Sequence, residues 1–318
     1  MKRVLLSVGI GLCCISQSLF AGEKVDQTID AKKDGYVEIK HINGYAEVKA
    51  WDKAEVRVVG ELGDRTKKFI FERDGNEIVI KVKVKNGKGW NNWSSDDGDE
   101  LEIFVPKGSK VNYSSVNANV EGSGIEGGAH FDTVNGGIEV KDLAGRIRLE
   151  SVNGNISASK LKGDVKIETV NGDIRSTSNS GKEDRYESVN GDIVITSDSS
   201  EINAETVNGD IELALSEVRH LSLDTVNGSI EAKLNLQPGG EVRASSVGGS
   251  VSLYFQKDVS ARFDIRGHAG GRIVNKLSDD KIQKAKYGPS RWLEFSLNEG
   301  DGKVNVSTVS GRVRLDTK

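Results

Sequence analysis

Gly145-Arg-Ile-Arg-Leu-Glu-Ser-Val-Asn-Gly-Asn-Ile-Ser-Ala-Ser159 holds two short alternating stretches separated by Asn153-Gly154. Ile147 and Leu149 alternate with Arg146, Arg148 and Glu150, the period-two pattern of a strand with one buried face. After the Asn-Gly corner the alternation restarts with Ile156 and Ala158 inward. Leu161 and Gly163 mark a second corner, and Val165 and Ile167 begin the pattern again. The tetrapeptide Ser/Thr-Val-Asn-Gly at the first corner recurs every 18 or 19 residues. Full copies stand at Thr133-Gly136, Ser151-Gly154, Thr169-Gly172, Ser188-Gly191, Thr206-Gly209 and Thr225-Gly228. Degenerate copies stand at Ser115-Ala118, Ser246-Gly249 and Thr308-Gly311. A period this short cannot enclose a core of its own, so each repeat must bury its apolar face against its neighbours. The expected fold is all-β, a parallel β-solenoid (β-helix) of about 18–19 residues per coil. Adjacent coils of such a stack lie about 4.8 Å apart. Asn-Gly is also a hairpin signal, which is the rival reading, but tight column identity at a fixed period favours stacked coils.

Aligning the coils turns positions into columns. Five and three residues before the valine the side chains are mostly apolar, as in Ala129/Phe131, Ile147/Leu149, Val165/Ile167, Ile202/Ala204 and Leu221/Leu223. Four residues after it stand Ile138, Ile156, Ile174, Ile193, Ile211, Ile230 and Val251. The Ser/Thr column lies beside an asparagine column, Asn135, Asn153, Asn171, Asn190, Asn208 and Asn227, with Asn117 ahead of it. Side-chain hydrogen-bond ladders between coils would satisfy the backbone groups of such corners. The glycine that follows is expected to permit positive φ. Roughly 15 coils between Tyr36 and Leu315 would make a rod on the order of 70 Å long.

The termini and composition bound the class. Lys2 and Arg3, the apolar run Val4–Ile15 and the small-residue approach to Ala21 read as an export signal over residues 1–21. Cys13 and Cys14 lie inside that segment after Leu12, a poor context for lipidation, so the mature chain is expected to carry no cysteine and no membrane insertion. Removing Lys2 and Arg3 from 44 basic residues leaves 42 against 48 acidic, a net charge of −6. That balance argues against nucleic-acid binding and against docking on an anionic bilayer. The chain divides into residues 22–110, a β cap with irregular first coils; 111–256, the regular repeats; and 257–318, irregular closing coils. Its expected location is the periplasm or the cell surface.

The opening corner Ile42-Asn43-Gly44 with Val48-Lys49-Ala50-Trp51-Asp52 belongs to a wider resemblance. So do the strand Leu101-Glu-Ile-Phe-Val-Pro-Lys-Gly108, the Val-Asn-Gly-Asp-Ile corners and the closing Lys303-Val-Asn-Val-Ser-Thr-Val-Ser-Gly-Arg-Val313. Together they resemble a family of exported bacterial candidate adhesins of unassigned function, related to autotransporter head-type domains. The resemblance covers the mature chain. It implies a β-solenoid scaffold and supplies no catalytic residue.

Three features are candidate sites. A carboxylate column, Asp132, Glu150, Glu168, Glu187, Glu205 and Asp224, precedes the valines by two residues. Arg148, Lys166 and Arg185 lie two further back on the same face. A shorter column, Asp173, Asp192 and Asp210, reads either as solvated corner carboxylates or as a Ca²⁺ ladder, the one cofactor the sequence suggests. Trp90 and Trp93, set among Asn91, Asn92 and Asp97, have no periodic core partner. They read either as a sugar-stacking loop or as a cap folded onto the solenoid. A glycan or an envelope protein is the partner class these features suit. Polysaccharide-cleaving β-helix enzymes, lyases or glycosidases, also set carboxylates on a solenoid face. Here, however, the carboxylates are the repeat rather than a break in it. No Gly-x-Ser-x-Gly elbow is present, and His41, His130, His220 and His268 do not pair at metal-ligand spacing. The expected function is therefore a non-catalytic envelope scaffold, with a polysaccharide-active enzyme as the alternative.

Overall fold

The computed structural model describes residues 22–85 and 98–318 and is all-β, with no helix among the described residues. The export-signal segment lies outside them. Each regular coil is flattened, two strands joined at the Asn-Gly corner, as in Ala144–Asn153 followed by Ile156–Ser159. Ile147, Leu149 and Ser151 point inward from the first strand, Ile156 and Ala158 from the second, and Leu161 closes the second corner. Equivalent strands run parallel in the register that the sequence columns require. Ala129 pairs with Ile147, Ile147 with Val165, and Ile138 with Ile156 and onward to Ile174. The core is thus a stack of aliphatic columns, each fully buried side chain contributing roughly 1.5–3 kcal/mol by leaving water.

The two corners use glycine for different reasons. Gly154, Gly172, Gly191, Gly209 and Gly228 do not adopt positive φ, contrary to the expectation from sequence. A Cβ on Gly172 would lie 2.2 Å from the carbonyl oxygen of Gly154, and one on Gly191 would lie 1.9 Å from that of Gly172. The first corner therefore demands glycine because successive backbones touch there. Positive φ belongs to the second corner, at Asp142 and Lys160 (both 55°) and at Gly145 and Gly163 (92° and 119°).

Stacking order departs from chain order at both ends. Tyr36–Lys40 lies between Glu77–Val84 and Lys110–Ser115, so the first coil is slotted between two later ones. At the other end Gly302–Thr308 lies between Ile230–Ser246 and Ala261–Gly267. The closing coil therefore resumes the repeat after a detour over residues 257–301. Antiparallel strands then cover the edges, Thr66–Asp74 on Glu77–Val84 and Arg291–Leu297 on Ala261–Gly267. Glu55–Leu62 and Glu23–Asp30 cover the second sheet at the N-terminal end. Because these segments are spent on covering otherwise adhesive edges, twelve parallel levels remain among the described residues rather than fifteen. The stack is accordingly about 50 Å long.

Candidate functional site

The corner tetrapeptide builds one continuous outer face. The Ser/Thr residue points inward, and its hydroxyl donates to the carbonyl of the touching glycine one coil earlier. Ser151 Oγ reaches Gly136 O at 3.0 Å, and Thr169 Oγ1, Thr206 Oγ1 and Thr225 Oγ1 reach Gly154 O, Gly191 O and Gly209 O at 3.2 Å. Buried hydroxyl and glycine are thus two halves of one joint, and the intervening valine is turned to solvent. Val116, Val134, Val152, Val170, Val189, Val207 and Val226 are all 39–41% exposed, and Val247 is 48% exposed. With the carboxylate column, the valines from Val152 to Val247 line a groove of about 740 Å³ along the regular repeats.

The carboxylate wall is paired with cations over its middle coils and bare toward Asp224. Arg148 pairs with Glu150 and reaches Glu168 at 3.3 Å, Lys166 holds Glu168 at 2.8 Å, and Arg185 pairs with Glu187. Glu205 is only 4.0 Å from Arg185, and Asp224 is met by the hydroxyls of Ser222 and Ser245 rather than by a cation. Exposed pairs of this kind contribute little to stability.

On the other side of the valines the asparagines form a ladder. Asn135 Nδ2 donates to Asn117 Oδ1, Asn153 to Asn135, Asn171 to Asn153, Asn190 to Asn171 and Asn208 to Asn190, each at 2.8 Å. Asn227 donates to Asn208 at 2.9 Å. These amides are exposed rather than partly buried. A second ladder explains the short aspartate column. Asn155 Oδ1 accepts from the Asp173 amide at 2.8 Å, Asp173 Oδ1 from Asp192 N at 3.1 Å, Asp192 Oδ1 from Asp210 N at 2.8 Å, and Asp210 Oδ1 from Ser229 N at 2.7 Å. For the calcium reading of Asp173, Asp192 and Asp210, this ladder leaves fewer free oxygens. One oxygen of each is committed to a backbone amide, Asp173 Oδ2 holds Arg175 at 3.0 Å, and asparagine does the same job at Asn119 and Asn155. Among the described residues no group of three or more His, Cys, Asp or Glu is arranged to hold a metal ion. Trp90, Asn92, Trp93 and Asp97 lie outside the described residues.

Among the described residues two buried polar clusters interrupt the aliphatic columns, and the sequence pattern assigned neither. In the coil of Ile174–Asn190, Asn179, Asp184 and Tyr186 stand where Leu161, Val165 and Ile167 stand one coil earlier. Asp184 Oδ2 accepts from Ser197 Oγ at 2.8 Å and from Tyr186 Oη at 3.1 Å, while Asn179 Nδ2 donates to Tyr186 Oη at 2.6 Å. Asp184 Oδ1 and Asn179 Oδ1 have no hydrogen-bond partner. Burial pushes the Asp184 carboxyl above its ordinary range against the lowering effect of its hydroxyl donors, and drives Tyr186 far upward too. The second cluster lies at the N-terminal end. There His41 occupies the Ser/Thr position of the opening corner, its Nδ1 3.0 Å from Tyr113 Oη and its Nε2 3.2 Å from Asp99 Oδ2. Asp99 Oδ1 also accepts from Gly63 N at 2.8 Å and Thr66 Oγ1 at 2.7 Å, tying the loop before Thr66–Asp74 to the first corner. The available signal was the break in the column. Asp184 and Tyr186 are absent from the apolar pairs, and His41 replaces a hydroxyl.

A family model described as Toastrack DUF4097 matches residues 36–281, more than two thirds of the sequence. The chain belongs to this family. No curated protein sequence matches it. The Toastrack chain is also similar to several solved structures. A candidate adhesin from Bacteroides fragilis is 12% identical with a TM-score of 0.36, over 92% of this chain and 97% of that one. One from Parabacteroides merdae is 11% identical with a TM-score of 0.36, over 74% and 93%. A candidate cell adhesion protein from Clostridium sporogenes is 8% identical with a TM-score of 0.24, over 93% and 100%.

Proposed function

We propose that this Toastrack chain is an exported, non-catalytic scaffold of the cell envelope, in the periplasm or at the surface, whose repeated outer face binds a partner. The observation that carries the reading is the groove itself. Its carboxylates and valines recur coil after coil, so the face offers many equivalent contacts and no unique constellation for chemistry. The polar breaks at Asp184 and at His41–Asp99 point into the core, where no polymer can reach them. Adhesion to a glycan or an envelope protein is the role such a face suits, with affinity accumulated over coils rather than concentrated at one pocket. Incubating the purified protein with cell-wall and matrix polysaccharides tests it. Retention without turnover is expected, and release of shortened or unsaturated products would establish the enzymatic alternative instead. Fractionation of the native cell tests export, and a cytoplasmic pool alone would refute it.

A further inference from the structure

We infer that the valine face is a self-association surface, on which a second copy of this chain packs side by side with its solenoid axis parallel to the first. This deepens the reading above, resting on the outer face as the binding face, and names the partner.

The first ground is the persistence of the apolar residue. Nine successive levels carry a solvent-facing valine, from Val116 through Val247 to Val309. The valine stays even where the neighbouring asparagine has become Gly248 or Ser310, and nothing among the described residues covers it. The interior joint of hydroxyl and glycine does not need it. A row of β-branched methyl groups kept in water over the length of the repeat is therefore a surface awaiting a cover.

The second ground is the period. A rigid partner that touches all nine levels must repeat at the coil spacing of about 4.8 Å. An α-helix repeats at about 5.4 Å and falls a full coil out of step within about eight levels. Another solenoid of this chain stays in step indefinitely.

The third ground is the order of the columns. Carboxylates lie on one side of the valines and asparagines on the other. Each ladder asparagine spends one N–H on the preceding coil, leaving the second free to donate. A twofold axis parallel to the solenoid, running along the valine ridge, places the free amide donors of one copy opposite the carboxylate acceptors of the other, with valine against valine between. A twofold perpendicular to the solenoid would instead oppose carboxylate to carboxylate. The face is thus self-complementary in one orientation, as an isologous interface requires.

The extent also suffices. Nine levels span about 38 Å, and the six residues from Arg148 to Asn153 span roughly 17–20 Å across the face. Their product approaches the ~800 Å² per partner of a stable complex. An extended cationic polypeptide is the competing occupant, but Arg148, Lys166 and Arg185 already neutralise half of the carboxylate wall.

Sedimentation equilibrium of the purified protein from about 1 to 200 μM tests the inference. A monomer–dimer equilibrium is expected. The Val170→Lys/Val189→Lys double variant should weaken it at least a hundredfold while leaving the circular dichroism spectrum unchanged, because both side chains are exposed. The two cysteines of the chain precede residue 22, so single cysteines report geometry on protein lacking that segment. Val134→Cys and Val226→Cys should each form an intermolecular disulfide between identical positions. An antiparallel pair would cross-link only near the middle of the column, and that result would overturn the proposed symmetry. A wild-type protein that stays monomeric at 200 μM, or a dimer indifferent to the two lysines, would overturn the proposal itself. A monomer that captures a lysine-rich peptide would assign the groove to the cationic occupant. A monomer that still retains a glycan would leave the scaffold reading intact.

Discussion

Replacing Asp184 with asparagine should stabilise the protein at neutral and alkaline pH and lose that advantage in acid. Asp184 is wholly buried, and its carboxyl is satisfied on one oxygen only, by Ser197 and Tyr186. Its other oxygen has no hydrogen-bond partner, although the buried Ser199 hydroxyl also favours the charged form. Burial raises its pKa in the folded chain, so the folded state binds the proton more tightly than the unfolded state does. The stability associated with the protonated form is therefore fully present below the unfolded value of about 3.9. It is lost as pH rises toward the shifted value, at up to about 1.4 kcal/mol per pH unit. The asparagine oxygen can keep the bonds from Ser197 and Tyr186, and no charge is left in the core. An unsatisfied buried charge costs at least as much as the roughly 1–3 kcal/mol of a neutral group. A gain of about 1–3 kcal/mol at pH 8 is expected, read as a melting temperature higher by roughly 2–6 °C in a chain of this size. Near pH 4 the two proteins should melt together. Thermal unfolding of both from pH 3.5 to 8.5 checks this, and a difference that does not change with pH would refute the argument.

Asn190→Ala should cost only about 1 kcal/mol, because the two ladder bonds it breaks are exposed and water can replace them; a loss above 3 kcal/mol in denaturant unfolding would contradict that. Asp192→Asn should leave stability within about 0.5 kcal/mol, since the amide oxygen still accepts from Asp210 N, and neither protein should melt higher in Ca²⁺ than in EDTA. Gly172→Ala should cost about 3 kcal/mol, because its Cβ would sit 2.2 Å from Gly154 O and backbone rather than a side chain must yield; near-neutral melting would show that the coils are not in contact there. Asp99→Ala should cost about 3–5 kcal/mol, measured by urea unfolding, by stranding His41, Thr66 and the Gly63 amide at once.

The sequence by itself determined the coil. A period of 18 or 19 residues, alternation on both sides of Asn-Gly and aligned aliphatic columns leave one economical solution, because only neighbours can bury such short repeats. It also determined the asparagine ladder, since identical side chains 4.8 Å apart at a bend have each other as partners. The tertiary structure decided what periodicity cannot encode. It decided the stacking order, because a coil at Tyr36–Trp51 or Gly302–Thr317 matches any free edge and only the packed ensemble selects which one it joins. It decided why the corner glycines are glycines, since a clash with a carbonyl one coil away is a contact between distant residues. It decided that each aspartate turns one oxygen to a backbone amide of the next coil, a matter of direction and not of spacing. It decided that the alternation runs on unbroken through the corner, so that the valines face water and the hydroxyls meet the glycine carbonyls within.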